Sequence, residues 1–505
     1  MAASYPPMIL ADDFLEHYRI AWRMEPGKKD PNNPLMSPQF PWDMGAVFAH
    51  GTVLLNPIDG LYKAWYLSTP RVRGSFPHLR QLTYACSEDG VKWLRPELDV
   101  YPCEGYEKTN ILLGTKMGGI TSQVCVMIHP DADPDRRYEM FAYRDPVHHP
   151  AKEGPYSCPS RRIEGVPLPP GYDHSLYGLY RHFSGDGIHW RVEGEPVAGS
   201  PETKEAYGGR PFVSSDGLGV FQLSDGTYVC HNKVQLAAVP GGYVRNDVGR
   251  GECRTIARRE SDDGWEWGDT YEIIMTPDWR DPADTQFMDV MMNEYNNGYI
   301  GFATVYHAAE GTIDLQLACS RDDRKWWRPA RRPCVSLEPL GDIGGGILWP
   351  FRGFVIDGDD VHLYYSGIRG LHGDIYSDHG RTDPPHEGAF CRASWKLGRM
   401  WAALHHAGND ETAWLTTRPM RAAGKTLFVN ALTRGAGKVE AELFTGTPWE
   451  IGKPIPGYTR AECNAFHGDE ACAPLTWNDR SRVSVETSLL RIYLTDAFLY
   501  GFEWR

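Results

Sequence analysis

The sequence predicts an all-β protein, a five-bladed β-propeller followed by a C-terminal β-sandwich. Three observations predict it. Gly (53), Pro (38), Trp (17) and Tyr (26) are abundant for a helical enzyme and suit short strands joined by many turns. One turn pattern recurs between Ser87 and Trp326. Beyond about residue 410 that pattern stops, and alternating strands take over.

The recurring pattern is S-x-D-G-x-x-W. It is carried by Ser87-Glu88-Asp89-Gly90-Val91-Lys92-Trp93, Ser184-Gly185-Asp186-Gly187-Ile188-His189-Trp190 and Ser261-Asp262-Asp263-Gly264-Trp265-Glu266-Trp267. Ser320-Arg321-Asp322-Asp323-Arg324-Lys325-Trp326 is a fourth copy with Asp in the glycine place. Each copy follows a strand-like run (Leu82 to Cys86, Leu176 to Phe183, Arg254 to Arg258, Ile313 to Cys319), so each reads as strand, tight turn and outer strand. The Asp and Ser side chains can satisfy turn backbone groups, Gly supplies positive φ, and the Trp is expected to pack against the next sheet. The copies start 97, 77 and 59 residues apart, too long and irregular for a solenoid and suited to four-stranded blades with variable loops.

Two more strand-like runs precede each turn: Ala46 to Leu55 with Gly60 to Leu67, Gln123 to Ile128 with Tyr138 to Tyr143, Gly219 to Leu223 with Thr227 to Lys233, and Val290 to Glu294 with Gly298 to Tyr306. A fifth set, Gly346 to Ile356 with Val361 to Gly367, ends in Ser394 to Trp401, which keeps a Ser, a Gly and a Trp but has lost the Asp. The expected division is an N-terminal extension over 1–40 that packs on or closes the propeller, the propeller over 41–408, and a sandwich over 409–505. The sandwich strands are expected at Lys425 to Ala431, Lys438 to Phe444 and Leu489 to Trp504.

With 505 residues, 41% of them hydrophobic, the chain can bury substantial cores, which excludes a disordered protein. Fifty-two Lys and Arg against 66 Asp and Glu give a formal charge of −14, which repels nucleic acid and anionic membranes and suits a neutral ligand. No basic patch followed by an apolar stretch opens the chain, and nowhere do about 18 consecutive apolar residues occur. The eleven cysteines are scattered and never form a C-x-x-C pair, so neither a disulfide framework nor a zinc knuckle is suggested and a reducing cytoplasm is the expected home.

The turns, the five-set count and the appended sandwich together resemble the five-bladed propeller glycoside hydrolases of families 32 and 43 and their relatives. The resemblance covers most of the chain. It rests further on Pro41-Trp42-Asp43 before the first set, Ala85 to Pro96 closing it and Thr109-Asn110-Ile111 opening the second. Tyr143-Arg144-Asp145-Pro146 is similar to the Arg-Asp-Pro element that in family 32 supplies a transition-state-stabilising carboxylate. The family 32 nucleophile motif Asn-Asp-Pro-Asn-Gly is absent, with Trp42-Asp43-Met44-Gly45 in its place, and the Glu-Cys acid element is not at the start of the third set. Sialidase turns carry one more residue on six blades, and the spacing here argues against them.

Glycoside hydrolysis needs one carboxylate to protonate the leaving oxygen and another to attack the sugar or activate water. In a propeller the starts of the innermost strands converge on one face. Those positions hold Asp43, a neutral Ser122-Gln123, Asp216, Asp289 with Glu294 flanking the same strand, and Asp342. Asp43 is expected as nucleophile or general base, where resemblance and position agree, and the resemblance makes Asp145, oriented by Arg144, the stabiliser of positive charge. The general acid stays open between Asp216 by position, Glu294 by residue type and Glu252 by its Glu252-Cys253 dipeptide, and crowding should raise its pKa. Trp42, Trp349 and Tyr306 are candidates to stack on a sugar, and His148, Asp289, His307 and Asp342 to line the site.

No metal-ligand spacing occurs among the 18 His and many Asp, so no cofactor is called for, although a calcium ion in the channel is compatible with the composition. Gly424-Lys425-Thr426 lacks the upstream glycine of a phosphate loop. The expected activity is a glycosidase or transglycosylase acting on a furanosyl or terminal sugar of a small oligosaccharide or glycoside. The alternatives are a glycoside phosphorylase, with Arg144, Arg210 and His307 as its cations, and a non-catalytic carbohydrate-binding propeller. Oligomeric state is not legible.

Overall fold

In the computed structural model the described residues are 5–12, 14–69, 80–103, 105–114, 120–144, 178–199, 217–237, 252–268, 270–372, 388–405, 411–447 and 449–505. Among them the fold is all-β, with strands and short 3-10 turns. No helix among the described residues is long and apolar enough to cross a membrane.

Five four-stranded antiparallel sets follow one another. Set 1 is Ala46–Leu55, Tyr62–Thr69, Gln81–Ser87 and Ile111–Leu113, and set 2 is Ile120–Ile128, Tyr138–Arg144, Gly178–Ser184 and Arg191–Gly199. Set 3 is Leu218–Gln222, Tyr228–Ala237, Glu252–Ser261 and Glu272–Met275, and set 4 is Thr285–Tyr295, Gly298–His307, Thr312–Ser320 and Pro333–Val335. Set 5 begins with Ile347–Pro350 and Val355–Asp357, continues through Asp360–Ile368 and Gly388–Lys396, and takes its outer strand from the N-terminal region, Lys28–Lys29. One parallel pairing, Ile313 with Ile347, joins sets 4 and 5.

The repeated turns explain how the sets interlock. In the first, the Asp89 carboxylate accepts from the backbone N–H of Val91 and Lys92 at 2.8 and 2.7 Å, the Ser87 hydroxyl accepts from Gly90 N–H at 2.9 Å, and the Trp93 indole donates to Gly90 O at 3.2 Å. The second and third turns repeat this pattern on Asp186 and Asp263. Gly90, Gly187 and Gly264 have φ of 68°, 78° and 74°, and Asp323 in the fourth turn adopts 58°.

Each turn is gripped by the set before it. Tyr364 of set 5 donates to Gly90 O at 2.9 Å, Trp65 of set 1 to Gly187 O at 2.6 Å, and Arg181 of set 2 to Asp263 O at 2.6 Å. His231 and Arg258 of set 3 hold the fully buried Asp323 carboxylate at 2.8 and 2.7 Å. The turn tryptophans follow the same direction: Trp93 packs on Tyr364 and Phe390 of set 5, Trp267 on Phe141 of set 2 and Trp326 on His231 of set 3. The expectation that they pack on the next sheet is therefore corrected to the preceding one. The turn of set 5 is held differently: Gly398 O accepts from Asn430 of the C-terminal sheet at 2.8 Å.

The C-terminal sheet has ten strands, and its membership cuts across the expected divisions at 40/41 and 408/409. Phe14–Tyr18, Ala21–Met24 and Trp401–His405 belong to it together with Ala413–Thr417, Met420–Arg421, Leu427–Thr447, Glu450–Pro454, Cys463–Asn464, Asp469–Trp477 and Thr487–Trp504. Leu427–Thr447 merges two expected strands into one of 21 residues, with a register shift between Thr433 and Lys438. Gly437 permits it, because a Cβ there would lie 2.3 Å from Asp496 O. Alternate residues Leu427, Val429 and Ala431 and, past the shift, Val439, Ala441 and Leu443 opposite Leu494, Ile492 and Leu490 form its core.

The segment before it stitches the two halves. Met8 and Leu10 are buried with Phe302, Leu317 and Trp401, the Trp401 indole donates to Ile9 O at 2.8 Å, and Ile9 N–H donates to Tyr500 O at 2.9 Å.

Candidate functional site

Within each antiparallel set the S-x-D-G-x-x-W turn and the first hairpin lie at one end, so the starts of the first strands and the second-to-third connections lie at the other. That second end is the mouth. Most of the second-to-third connections of sets 1, 2, 3 and 5, at 70–79, 145–177, 238–251 and 373–387, lie outside the described residues, while 369–372 of set 5 is described. Set 4 is described throughout.

The first strands are tied directly to one another. The Thr52 hydroxyl of set 1 donates to Val124 O at 2.8 Å and accepts from Val126 N–H at 3.0 Å in set 2. The Cys125 thiol of set 2 accepts from Val220 N–H of set 3 at 3.2 Å. Met288 of set 4 lies so close to Gly217 of set 3 that a Cβ there would sit 2.1 Å from Met288 O. Arg352, from set 5, donates through its backbone to Gly51 O at 2.8 Å and through its guanidinium to Val126 O at 3.2 Å and Val220 O at 2.5 Å. One residue thus reaches sets 1, 2 and 3, and the first strands surround a common axis.

Asp289 is the buried carboxylate of this wall. A bulge between Phe287 and Asp289 breaks the strand's alternation there, and the side chain accepts from the Thr304 hydroxyl across the ladder. Its charge reaches Cys125 two sets away, where burial pushes the thiol up, opposed by the Arg352 charge and the Val220 N–H bond, with a smaller push from Asp289.

Toward the mouth, Gln286 accepts from Arg254 of set 3 at 3.1 Å, and the Arg254 guanidinium lies 5.3 Å from the Tyr306 ring centre. Tyr306 in turn meets His372 at 4.8 Å between ring centres. Trp349 and His50 pair at 4.6 Å, and Trp349 shares a hydrophobic cluster with Tyr306 and Met288. The Trp349 indole N–H is buried without an acceptor. Arg254, Gln286, Tyr306 and His372 therefore form a buried group of donors, acceptors and aromatic faces, with the Trp349–His50 pair in the same hydrophobic cluster as Tyr306, and Asp289, opposite Thr304, on the Tyr306 face of the ladder. Among the described residues no group of three or more His, Cys, Asp or Glu could hold a metal ion.

Of the residues expected from sequence, the structure brings Asp289, Trp349 and Tyr306 into this group. Asp43 is buried elsewhere: Oδ1 accepts from Gln39 and Phe40 N–H, each at 2.7 Å, and Oδ2 pairs with Arg95 at 2.7 Å. Burial pushes its carboxyl up, opposed by the Arg95 charge and the two N–H bonds. Both oxygens serve the turn that enters set 1. Trp42 donates to Asn110 at 2.8 Å and is buried against Phe40 at 4.7 Å, so it closes set 1 rather than presenting a platform.

Glu294 lies at the far end of its strand from Asp289's bulge, exposed, where it accepts from Ser224 N–H and hydroxyl, both at 3.0 Å. Five residues along a strand amount to about 17 Å, which separates it from the mouth. Asp342 is exposed on the turn between Pro339 and Gly345. His307 is at the mouth end of set 4, but its Nε2 pairs with Asp314 at 2.7 Å on the ladder face opposite Tyr306; that hydrogen bond is the main reason its pKa is raised. Asp145, His148, Asp216 and Arg210 lie outside the described residues, as do the side chains of Arg144 and Glu252. Arg254, Gln286, His50 and His372 were missed. The rule that singled out the starts of innermost strands applied equally to Gln286, whereas Arg254 lies on a third strand and nothing local marked it or the two histidines.

No family model matches the chain, and no curated protein does. Solved structures do. A glycosyl hydrolase from Bacteroides ovatus is 12% identical with a TM-score of 0.46, covering 78% of this chain and 97% of that one. An N-acetylgalactosamine deacetylase from F. plautii, in complex with blood group B trisaccharide, is 14% identical with a TM-score of 0.45, covering 75% and 96%. A protein of the GH130 family of mannoside phosphorylases, which contains glycoside hydrolases that target β-1,2-mannosidic linkages, is 15% identical with a TM-score of 0.44, covering 77% and 96%. These likenesses lie below the level at which resemblance carries an activity, and function is argued from the residues.

Proposed function

We propose that the chain is a five-bladed propeller enzyme that cleaves a glycosidic bond of a small oligosaccharide or glycoside at the mouth of the ring. The observation that carries this reading is the buried Asp289 on the axial wall, in line with a cluster of sugar-compatible groups at the same end. Cleavage proceeds through an oxocarbenium-like transition state whose positive charge a fixed carboxylate stabilises, and a low-dielectric wall strengthens that effect. Asp289 takes that role. Trp349 and Tyr306, buried with this group, supply apolar wall rather than an open platform, while Arg254, Gln286 and His372 supply hydrogen-bonding groups for sugar hydroxyls. Asp216 and Asp145, by their chain positions, are the proposed sources of the second carboxylate and the general acid. Asp43 is assigned to holding the entry turn.

A second reading has a specific observation behind it. Arg254 and His372, which both meet the Tyr306 ring, suit an inorganic phosphate as well as a sugar hydroxyl, which is what phosphorolysis requires. One experiment separates the readings: a panel of aryl glycosides and fructose-, arabinose-, galactose- and mannose-containing oligosaccharides, with and without phosphate, against wild type and Asp289→Asn. Hydrolysis without phosphate, reduced about 1,000-fold in the variant, supports the proposal. Turnover only with phosphate moves the assignment to a phosphorylase. Sugar binding without turnover on any substrate overturns both.

A further inference from the structure

We propose that Trp279 is a stacking platform for an outlying sugar unit, so that the substrate extends beyond the cleaved bond and over the rim of set 4. This rests on the glycoside-cleaving reading above. Trp279 is 90% exposed, on the connection that leads into the first strand of set 4 and hence at the mouth. The chain between Trp279 and Gln286 can span at most about 25 Å, within reach of a short oligosaccharide anchored on the axis.

The loop around it is braced. Arg331 grips the Asp278 carboxylate with two bonds of 2.8 and 2.5 Å, and Arg328 grips Asp281 with two of 2.7 and 2.6 Å. Arg331 also reaches Asp281 at 3.1 Å, and Asp278 N–H donates to Asp281 at 3.0 Å. Arg328 and Asp281 are themselves buried, so charges have been taken out of water to hold this loop. The Arg331–Asp278 pair is forked, one nitrogen to each oxygen, and such pairs fix orientation as well as position, whereas in the Arg328–Asp281 pair one nitrogen serves both oxygens. The braced segment carries at its tip an indole that folding does not bury, forfeiting one of the largest apolar areas a side chain can contribute. An exposed aromatic face on a braced backbone is what the apolar side of a sugar ring needs, and the neighbouring Arg280 guanidinium lies 5.8 Å from the ring centre.

The test measures kcat and KM for wild type and Trp279→Ala on an aryl monoglycoside and on the corresponding oligosaccharides of increasing length. The substitution is at an exposed position and leaves the fold intact. We expect an unchanged kcat/KM on the aryl glycoside and about a tenfold loss on the longer substrates, carried by KM, with Trp279→Phe recovering most of it. An equal effect on all lengths overturns the platform while leaving the cleavage reading in place. If wild type cleaves nothing, the cleavage reading fails by itself, and calorimetric binding of the same oligosaccharides decides the platform: unweakened binding to Trp279→Ala overturns it. A variant that changes only the oligomeric state, read by light scattering, overturns it in favour of a contact between copies of this chain.

Discussion

Asp323 stands where the other turns have glycine, and its φ of 58° is one that an L side chain adopts at a cost of about 1–2 kcal/mol. What offsets the cost is its carboxylate, buried between His231 and Arg258. Restoring the repeat with Asp323→Gly relieves the backbone but removes the carboxylate between His231 and Arg258, leaving the buried guanidinium with Glu260 alone, a loss of about 3 kcal/mol. We expect a net loss of about 1–2 kcal/mol in the denaturant midpoint analysis; a variant as stable as wild type would show that the pairing does no more than offset the backbone cost. The same logic separates the carboxylates at the ring. Asp43 is engaged on both oxygens by its own turn and Arg95, whereas Asp289 is presented by a bulge on the axial wall, so Asp289→Asn is expected to remove turnover.

At the scale of elements, the loop carrying Trp279 is held by ion pairs and should loosen in acid. The Arg331 hydrogen bond pulls the Asp278 carboxyl down to about 2. A carboxyl with a lowered folded-state pKa stabilises the fold above the ordinary carboxylate range and loses that contribution as pH falls through its folded value. Emission from the region of Trp279, taken as the difference between wild type and Trp279→Phe, is therefore expected to hold constant to about pH 4 and change between there and about pH 2. With Arg331→Gln the change should move up toward pH 4; a midpoint that stays put would show that Arg331 does not brace the loop. The turns behave as elements in their own right, since each Asp satisfies two N–H groups within three residues and needs nothing from outside to form.

At the scale of the whole molecule, the N-terminal region belongs to both halves. Lys28–Lys29 completes set 5, while Phe14–Tyr18 and Ala21–Met24 are strands of the C-terminal sheet, and Trp22 meets Trp327 of set 4 edge-on at 4.8 Å. A chain starting at residue 41 would leave an open edge on set 5 and expose the edges of Ala413–Thr417 and Trp401–His405 in the other sheet. We expect such a variant to aggregate or melt without cooperativity, and full-length protein to show a single calorimetric transition with the two halves unfolding together. Two separate transitions, or a soluble truncated chain with a native melt, would show that the halves fold independently.

The sequence by itself determined what depends on neighbours in the chain. The four Asp and Ser turns, the strands leading into them and the all-β class were legible because their hydrogen bonds close within a few residues and their burial alternates locally. Only the tertiary structure decided the rest. Trp42-Asp43 read as a site dipeptide, but Arg95, 52 residues away, turned it into a buried brace. Glu294 read as an acid, but the direction of its strand put it at the end away from the mouth. Arg254, Gln286, Tyr306 and His372 come from two sets and the connection after a third, and no spacing along the chain encodes that they meet. The physical reason is common to all of these: a turn is chosen by bonds a residue makes to its own segment, whereas a site is made where strands from distant segments close a ring.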